Sequence, residues 1–272
     1  MSGLAAEPQA LARTALAIRR KFLRMHYEAR SGHLGGGLSA IDVLTYLYAA
    51  WLRPSDRLIL SKGHAASALY AALHHFGKLS DAELSTYYKD GTLLPAHPAP
   101  LGVAAIPAAT GSLGHGLPIA VGMAYSYKHL RESSARVACL ISDGECNEGS
   151  TWEAALFAGH HRLDNVTVLI DANGIQGFGR TEDILTLEPF ALKWEAFGFD
   201  VSECNGHDFS ALGAALSERR SGRPRCIIAR TVKGKGVRFM ENTVAWHYWP
   251  MSEAQYAEAI AELDRTESEL RE

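Results

Sequence analysis

Apolar residues recur at helical spacing from Leu4 to Arg30, through Leu11, Ala15, Ile18, Phe22 and Met25, which predicts a long helix stopped at Ser31-Gly32. A second helix is expected to begin at Ser39, whose hydroxyl can cap it with Asp42 in the first turn, and to end at the Arg53-Pro54 break. The period then changes. Arg57 to Leu60 reads as a short strand, followed by Ser61-Lys62-Gly63-His64 and an alanine-rich helix to Phe76. After a long loop, strand and helix alternate: strand 136–142, helix 149–161, strand 165–170, helix 187–197, strand 199–203, helix 208–219 and strand 225–231. Continuous apolar runs such as Val166-Thr167-Val168-Leu169-Ile170 suit strands covered on both faces of a parallel sheet. The expected fold is α/β: a doubly wound, mostly parallel sheet with helices on both faces. One domain over 1–272 is expected, with a helical N-terminal extension over about residues 4–50 and an acidic helical tail over about 251–272. No repeat, low-complexity tract or linker interrupts it.

Composition narrows the function classes. The 272 residues are 47% hydrophobic, enough for a substantial core, and the net charge of -3 argues against a nucleic-acid footprint. The basic cluster Arg19, Arg20, Lys21 and Arg24 is read as one solvated helix face. The longest apolar runs fall far short of the roughly 20 residues that span a bilayer, and the N-terminus has no signal-peptide core. A cytoplasmic chain without membrane partners is expected. Cys139, Cys146, Cys204 and Cys226 form no CxxC pair and read as buried thiols.

Ligands of parallel sheets sit at the carboxyl ends of strands, so the residues there carry the most information. Strand 136–142 is followed by Asp143-Gly144-Glu145-Cys146-Asn147-Glu148-Gly149, and strand 165–170 by Asp171-Ala172-Asn173-Gly174-Ile175. The spacing of Asp143 and Asn173 is that of a βαβ unit, which would bring a carboxylate and an amide oxygen side by side. Two hard oxygens suit Mg²⁺ or Ca²⁺ shared with a phosphate. Asp-Gly and Asn-Gly are also ordinary turn dipeptides, and the pair alone leaves both readings open. The glycine-rich stretch Thr110 to Gly116 leads into a helix, where backbone N–H groups can approach an anion. Four of the 12 histidines, His33, His64, His97 and His247, lie in glycine- or proline-rich loops, not on helix faces. They could form a polar wall that binds oxyanions and moves protons near neutral pH. Their spacing matches no zinc motif.

Taken together, SGHLGGG, SKGHA, the AHP loop, TGSLGHG, SDGECNEG, IDANGIQ and TVKGKG, in that order over residues 31 to 236, resemble the diphosphate-binding N-terminal domain of transketolases. The TGSLGHG variant and the end of the chain resemble most the N-terminal subunit of split transketolases. The resemblance implies thiamine diphosphate as cofactor, anchored through Mg²⁺ or Ca²⁺ by the side chains of Asp143 and Asn173 and the carbonyl of Ile175. It further implies that Gly144 cradles the diphosphate and that Gly111 and Leu113 lie against the aminopyrimidine. His64 and His247 would touch the diphosphate; His33, His97 and again His247 would face the sugar oxygens. Glu148 matches a glutamate at the subunit interface between paired cofactors.

The implied reaction moves a two-carbon ketol unit from a ketose or ketose phosphate to an aldose. The glutamate that activates the cofactor belongs, in this family, to a separate pyrimidine-binding domain. The chain is therefore expected to work only with a C-terminal transketolase subunit carrying that domain, as a heterotetramer of two of each. Two positions depart from the family: Ser142 stands where Gly is usual, and Tyr248 and Trp249 follow His247 where Gly is common. Alternative readings are a subunit of a deoxyxylulose phosphate synthase-like or 2-oxo acid dehydrogenase-like enzyme, or a non-catalytic cofactor-binding partner. The histidines at 33, 64 and 97 favour ketose chemistry.

Overall fold

A computed structural model describes residues 7–217 and 222–271. Five parallel strands, β1 (Arg57–Leu60), β2 (Val137–Ser142), β3 (Val166–Ala172), β4 (Asp200–Asn205) and β5 (Arg225–Arg230), form one sheet in the order β1-β2-β3-β5-β4. Alternation along each strand splits its side chains between two cores, as a pleat of period two requires. Leu58, Leu60, Ala138, Leu140, Leu169 and Ile227 face one core; Ile59, Val137, Cys139, Ile141, Val168, Ile170 and Ile228 face the other. Both faces are apolar because both are covered, which is why the strands read as continuous hydrophobic runs.

The first core is roofed by α1 (Pro8–Ala29), α2 (Leu34–Tyr46) and α3 (Ala66–His75). Between α3 and β2 come the one-turn α4 (Asp81–Leu84), a long irregular loop, and α5 (Gly116–Tyr125). After β2 follow α6 (Gly149–His160), the short α7 (Thr181–Leu185) and α8 (Phe190–Ala196); α5, α6 and α8 cover the second core. Two later helices return to the first core, α9 (Phe209–Ser217) and α10 (Glu253–Glu269), the latter capped by Ser252 and Gln255 in a reciprocal capping box. The chain steps outward from β1 to β3, jumps to the edge at β4 and returns to β5, so the carboxyl ends of β2 and β3 lie beside the change of direction.

Two expectations change. Residues 34–38, read as loop, are the first turns of α2, and Ser39 lies inside that helix, not at its cap. Glycine is a poor helix former, but here its missing side chain is required: a Cβ at Gly37 would sit 2.4 Å from the Phe22 ring, and one at Gly35 2.9 Å from the Lys233 side chain. Ser39 Oγ instead donates to Asp171 Oδ2 at 2.6 Å. The basic cluster on α1 is not one solvated face. Arg19 is buried and donates to Asp42 Oδ2 at 2.5 Å, and Arg20 reaches Asp264 and Glu267 on α10, because α10 packs over the outside of α1. Of the cysteines, Cys139, Cys146 and Cys226 are buried in the sheet region. The expected start of the first helix at Leu4 and the end of the 208–219 helix extend beyond the described residues. Among the described residues, no helix is long and apolar enough to cross a membrane.

Candidate active site

At the carboxyl ends of β1, β2 and β3 lies a cavity of about 300 Å³. Its lining includes His33, His64, His97, Gly111, Leu113, Asp143, Gly144, Asn173, Ile175, Lys233 and His247. Every candidate residue but one therefore meets in a single place. The exception is Glu148, which is exposed at the N-terminus of α6 and packs against Gly114, outside this lining. A larger hollow of about 810 Å³ lies between α1 and α10, but its arginines Arg20, Arg24 and Arg271 are engaged in ion pairs with Asp264, Glu267 and Glu28.

Four separate segments deliver the histidines. His33 precedes α2 in a left-handed conformation (φ 66°), and its N–H donates to the His247 carbonyl at 3.1 Å. His64 sits on the turn between β1 and α3, His97 on the long loop, and His247 in the short turn Ala245–His247. The rings cluster: His33 lies 5.8 Å from His64, 6.2 Å from His97 and 5.1 Å from His247, centre to centre. Burial lowers the pKa of all four, with neighbouring histidines and Lys233 adding to the effect at His33 and His247. His247 falls to about 4. Near pH 7 the wall is neutral, able to accept protons and to donate one N–H per ring.

The positive charge comes from two lysines whose part the sequence reading missed. Lys62 is fully buried and ion-paired with Asp171, while donating to the Gly36 carbonyl at 2.9 Å. Burial works against charge on Asp171, yet Lys62 and the hydroxyls of Ser39 and Thr231 hold its pKa below the ordinary carboxylate value. Lys233, 1% exposed, donates to the carbonyls of Ile175 (3.0 Å) and Gln176 (3.2 Å) and lies 3.2 Å from His247 Nδ1. An ammonium has only hydrogens to give, so Nδ1 accepts and the proton of the neutral His247 ring sits on Nε2. Burial, then the charge of Lys62, lower Lys233 to about 8. The signal for both was present in SKGHA and TVKGKG, where a lysine stands beside a glycine at a strand end.

Asp143 is 4% exposed; its Oδ1 accepts from Gly144 N–H at 2.8 Å and its Oδ2 from Gly174 N–H at 2.6 Å. Burial, and then the negative charge of Asp171, raise its pKa, so an added cation would relieve the site. Asn173 accepts from Ile175 N–H at 3.1 Å. Among the described residues no group of three or more His, Cys, Asp or Glu could hold a metal by itself. One carboxylate, one amide oxygen and one carbonyl are the kind of partial set that Mg²⁺ completes with phosphate and water. The residues thus fit a metal held jointly with a diphosphate.

Ser142, in place of the usual glycine, is accommodated by Glu145. That carboxyl is fully buried, accepts from Ser61 Oγ and from Gly114 N–H (2.9 Å), and lies 3.4 Å from Ser142 N, while Glu145 N–H donates to Ser142 Oγ at 3.3 Å. It links the turn carrying His64, the loop carrying Gly111 and Leu113, and the turn carrying Asp143.

Comparison with known proteins gives a consistent picture. Residues 12–266 match the family described as "Transketolase, thiamine diphosphate binding domain". One of two apulose-4-phosphate transketolase subunits, from Actinobacillus succinogenes, is 40% identical over 249 residues, covering 88% of this chain and 90% of the relative. A 6-deoxy-6-sulfo-D-fructose transketolase subunit from a Clostridium species is 40% identical over 247 residues, covering 86% and 89%. The crystal structure of transketolase from Campylobacter jejuni superposes with a TM-score of 0.83 at 31% identity, over 94% of this chain and 42% of that one. Transketolase from Leishmania mexicana gives 0.83 at 26% identity, over 96% and 45%. The chain spans less than half the length of these solved transketolases.

Proposed function

The chain belongs to the transketolase family, carrying its thiamine diphosphate-binding domain, and from that premise we propose that it is the N-terminal subunit of a two-component transketolase. It moves a two-carbon ketol unit from a ketose or ketose phosphate to an aldose, in the cytoplasm, once paired with a C-terminal subunit that brings the pyrimidine-binding domain. A heterotetramer of two of each is the assembly proposed. The relatives named for apulose 4-phosphate and 6-deoxy-6-sulfo-D-fructose support ketoses with an anionic end as the donor class. The single observation that carries the reading is the convergence of Asp143, Asn173, the Ile175 carbonyl and four neutral histidines on one cavity.

Each residue's part follows from its chemistry. Asp143, Asn173 and the Ile175 carbonyl would hold Mg²⁺ or Ca²⁺ and, through it, the diphosphate; Gly144 keeps that approach clear, and Gly111 and Leu113 form the wall for the aminopyrimidine. Bound thiamine diphosphate supplies the electron sink for breaking the ketose carbon–carbon bond. His64 and His247 donate N–H groups toward the diphosphate end. His33, His97 and His247, being neutral, can take a proton from a sugar hydroxyl and return it to the product, which a permanently cationic ring could not do. Lys233 places positive charge beside oxygens that become negative as the bond breaks. Glu148, on the surface of α6, is assigned to the subunit interface and not to the cavity.

The test is reconstitution of this chain with the product of the adjacent gene, Mg²⁺ and thiamine diphosphate, assayed for ketol transfer from a panel of ketoses including xylulose 5-phosphate. Absence of turnover with every ketose would sink the transketolase reading.

A further inference from the structure

Tyr248 replaces a common glycine of the family, and its position is built, not incidental. Two glycines make room for the segment that carries it. A Cβ at Gly32 would lie 2.3 Å from the Tyr248 carbonyl oxygen, and a Cβ at Gly177 would lie 2.5 Å from the Tyr248 hydroxyl and 3.3 Å from His247 Nε2. The hydroxyl and Nε2 therefore converge on the same edge of the cavity, above the Gly177 backbone. The Tyr248 ring packs beside the His247 imidazole, centres 4.8 Å apart, and lines the cavity while remaining 52% exposed. Among the described residues its hydroxyl makes no hydrogen bond, whereas His247 Nδ1 is taken by Lys233, leaving Nε2 as the free nitrogen. The residue thus presents an unengaged donor and acceptor beside the catalytic candidate most deeply tied into the site.

Building on the transketolase reading, we infer that Tyr248 is a specificity-determining residue that touches the substrate: its hydroxyl hydrogen-bonds a sugar oxygen adjacent to the oxygen met by His247 Nε2. A phenol both donates and accepts and carries no charge, so the partner it suits is a hydroxyl or carbonyl of the sugar chain, not its phosphate. The ring also occupies the mouth that a glycine would leave open, which restricts entry to sugars that pass between Tyr248 and His97.

The test uses the reconstituted pair with Mg²⁺ and thiamine diphosphate. In Y248F, kcat/KM for the preferred ketose falls by about 3- to 10-fold, the scale of one neutral hydrogen bond, while the affinity for thiamine diphosphate, read from tryptophan fluorescence, stays at the wild-type value. In Y248G, discrimination between straight-chain and branched ketoses shrinks. A second measurement needs no turnover: calorimetric titration of the loaded pair with D-arabinitol 5-phosphate, an unreactive open-chain polyol, gives a weaker affinity for Y248F. Equal polyol affinity and equal kcat/KM in wild type and Y248F overturn the inference. A parallel loss of cofactor affinity also overturns it, by assigning Tyr248 a structural part. Failure of the wild-type pair to turn over any ketose would count against the transketolase reading, and the polyol titration then still decides the role of Tyr248.

Discussion

The buried ion pair beneath the site offers the most demanding test of how the cavity is held. Lys62 and Asp171 both have side chains with no exposure, and the carboxylate also accepts from Ser39 Oγ and Thr231 Oγ1. Asp171→Asn keeps the shape and an acceptor but removes the negative charge, leaving Lys62 buried against neutral oxygens. Breaking one partner of such a pair costs about 3–5 kcal/mol, because the remaining charge has lost its compensation. For a chain of this size that lowers the melting temperature by roughly 10 °C. Lys62→Met in the Asp171→Asn background removes the stranded charge and should restore part of the loss, with a coupling of about 1–3 kcal/mol. The pH dependence has a defined sign. The folded pKa of Asp171 is depressed, so its stabilisation is present above the ordinary carboxylate value near 3.8 and disappears as pH falls through the folded value. Urea unfolding of the four species, at neutral pH and again at acid pH, reads all of this. If Lys62→Met costs the same with and without Asp171→Asn, the pair contributes nothing as a pair and the reasoning fails.

Three further outcomes are expected. Asp143→Ala should abolish Mg²⁺-dependent binding of thiamine diphosphate, by at least about 100-fold, beyond what loss of a supporting hydrogen bond around a metal brings; it should also raise the unfolding midpoint of the ligand-free chain, since burial disfavours the Asp143 charge. Calorimetry and thermal unfolding check both, and unchanged binding would remove Asp143 from the metal site. His26, fully buried between Ser31 and Ser67, has its pKa lowered by burial from 6.5 to about 4. At about 1.4 kcal/mol per pH unit, the native state should lose about 3 kcal/mol as pH falls from 6.5 to 4, and His26→Asn should flatten that slope in unfolding curves. Glu145→Ala should destabilise the fold by about 2–4 kcal/mol and expose the Gly114 amide to hydrogen exchange, since that N–H loses its buried acceptor; an unchanged exchange rate would show that the loop is held by other contacts.

The sheet and the cavity lining were legible in the sequence because each is encoded locally. A strand covered on both faces is apolar at every position, and Asp143 and Asn173 follow strands β2 and β3 directly, so finding the strand end finds the residue. What escaped local reading depends on partners far along the chain. Ser39 looks like a helix cap from its neighbours, yet its hydroxyl is taken by Asp171, 132 positions away, and the glycines before it are helical because Phe22 and Lys233 press against them. Arg19 shares a basic cluster with Arg20 and Arg24, but one residue is about 100° of helix, which turns it toward Asp42 while its neighbours face α10 or solvent. Lys62 and Lys233 look like ordinary surface lysines until the sheet brings Asp171 and the Ile175 carbonyl to them. Glu148 shows the reverse: its motif placed it with the cofactor, and the turn into α6 carries it out of the cavity lining. The motifs therefore specify which groups the site needs, while the buried polar contacts of Lys62, Asp171, Glu145 and Lys233 decide how those groups are held. Those contacts must be satisfied together, because each joins segments that only the completed sheet brings within hydrogen-bonding distance.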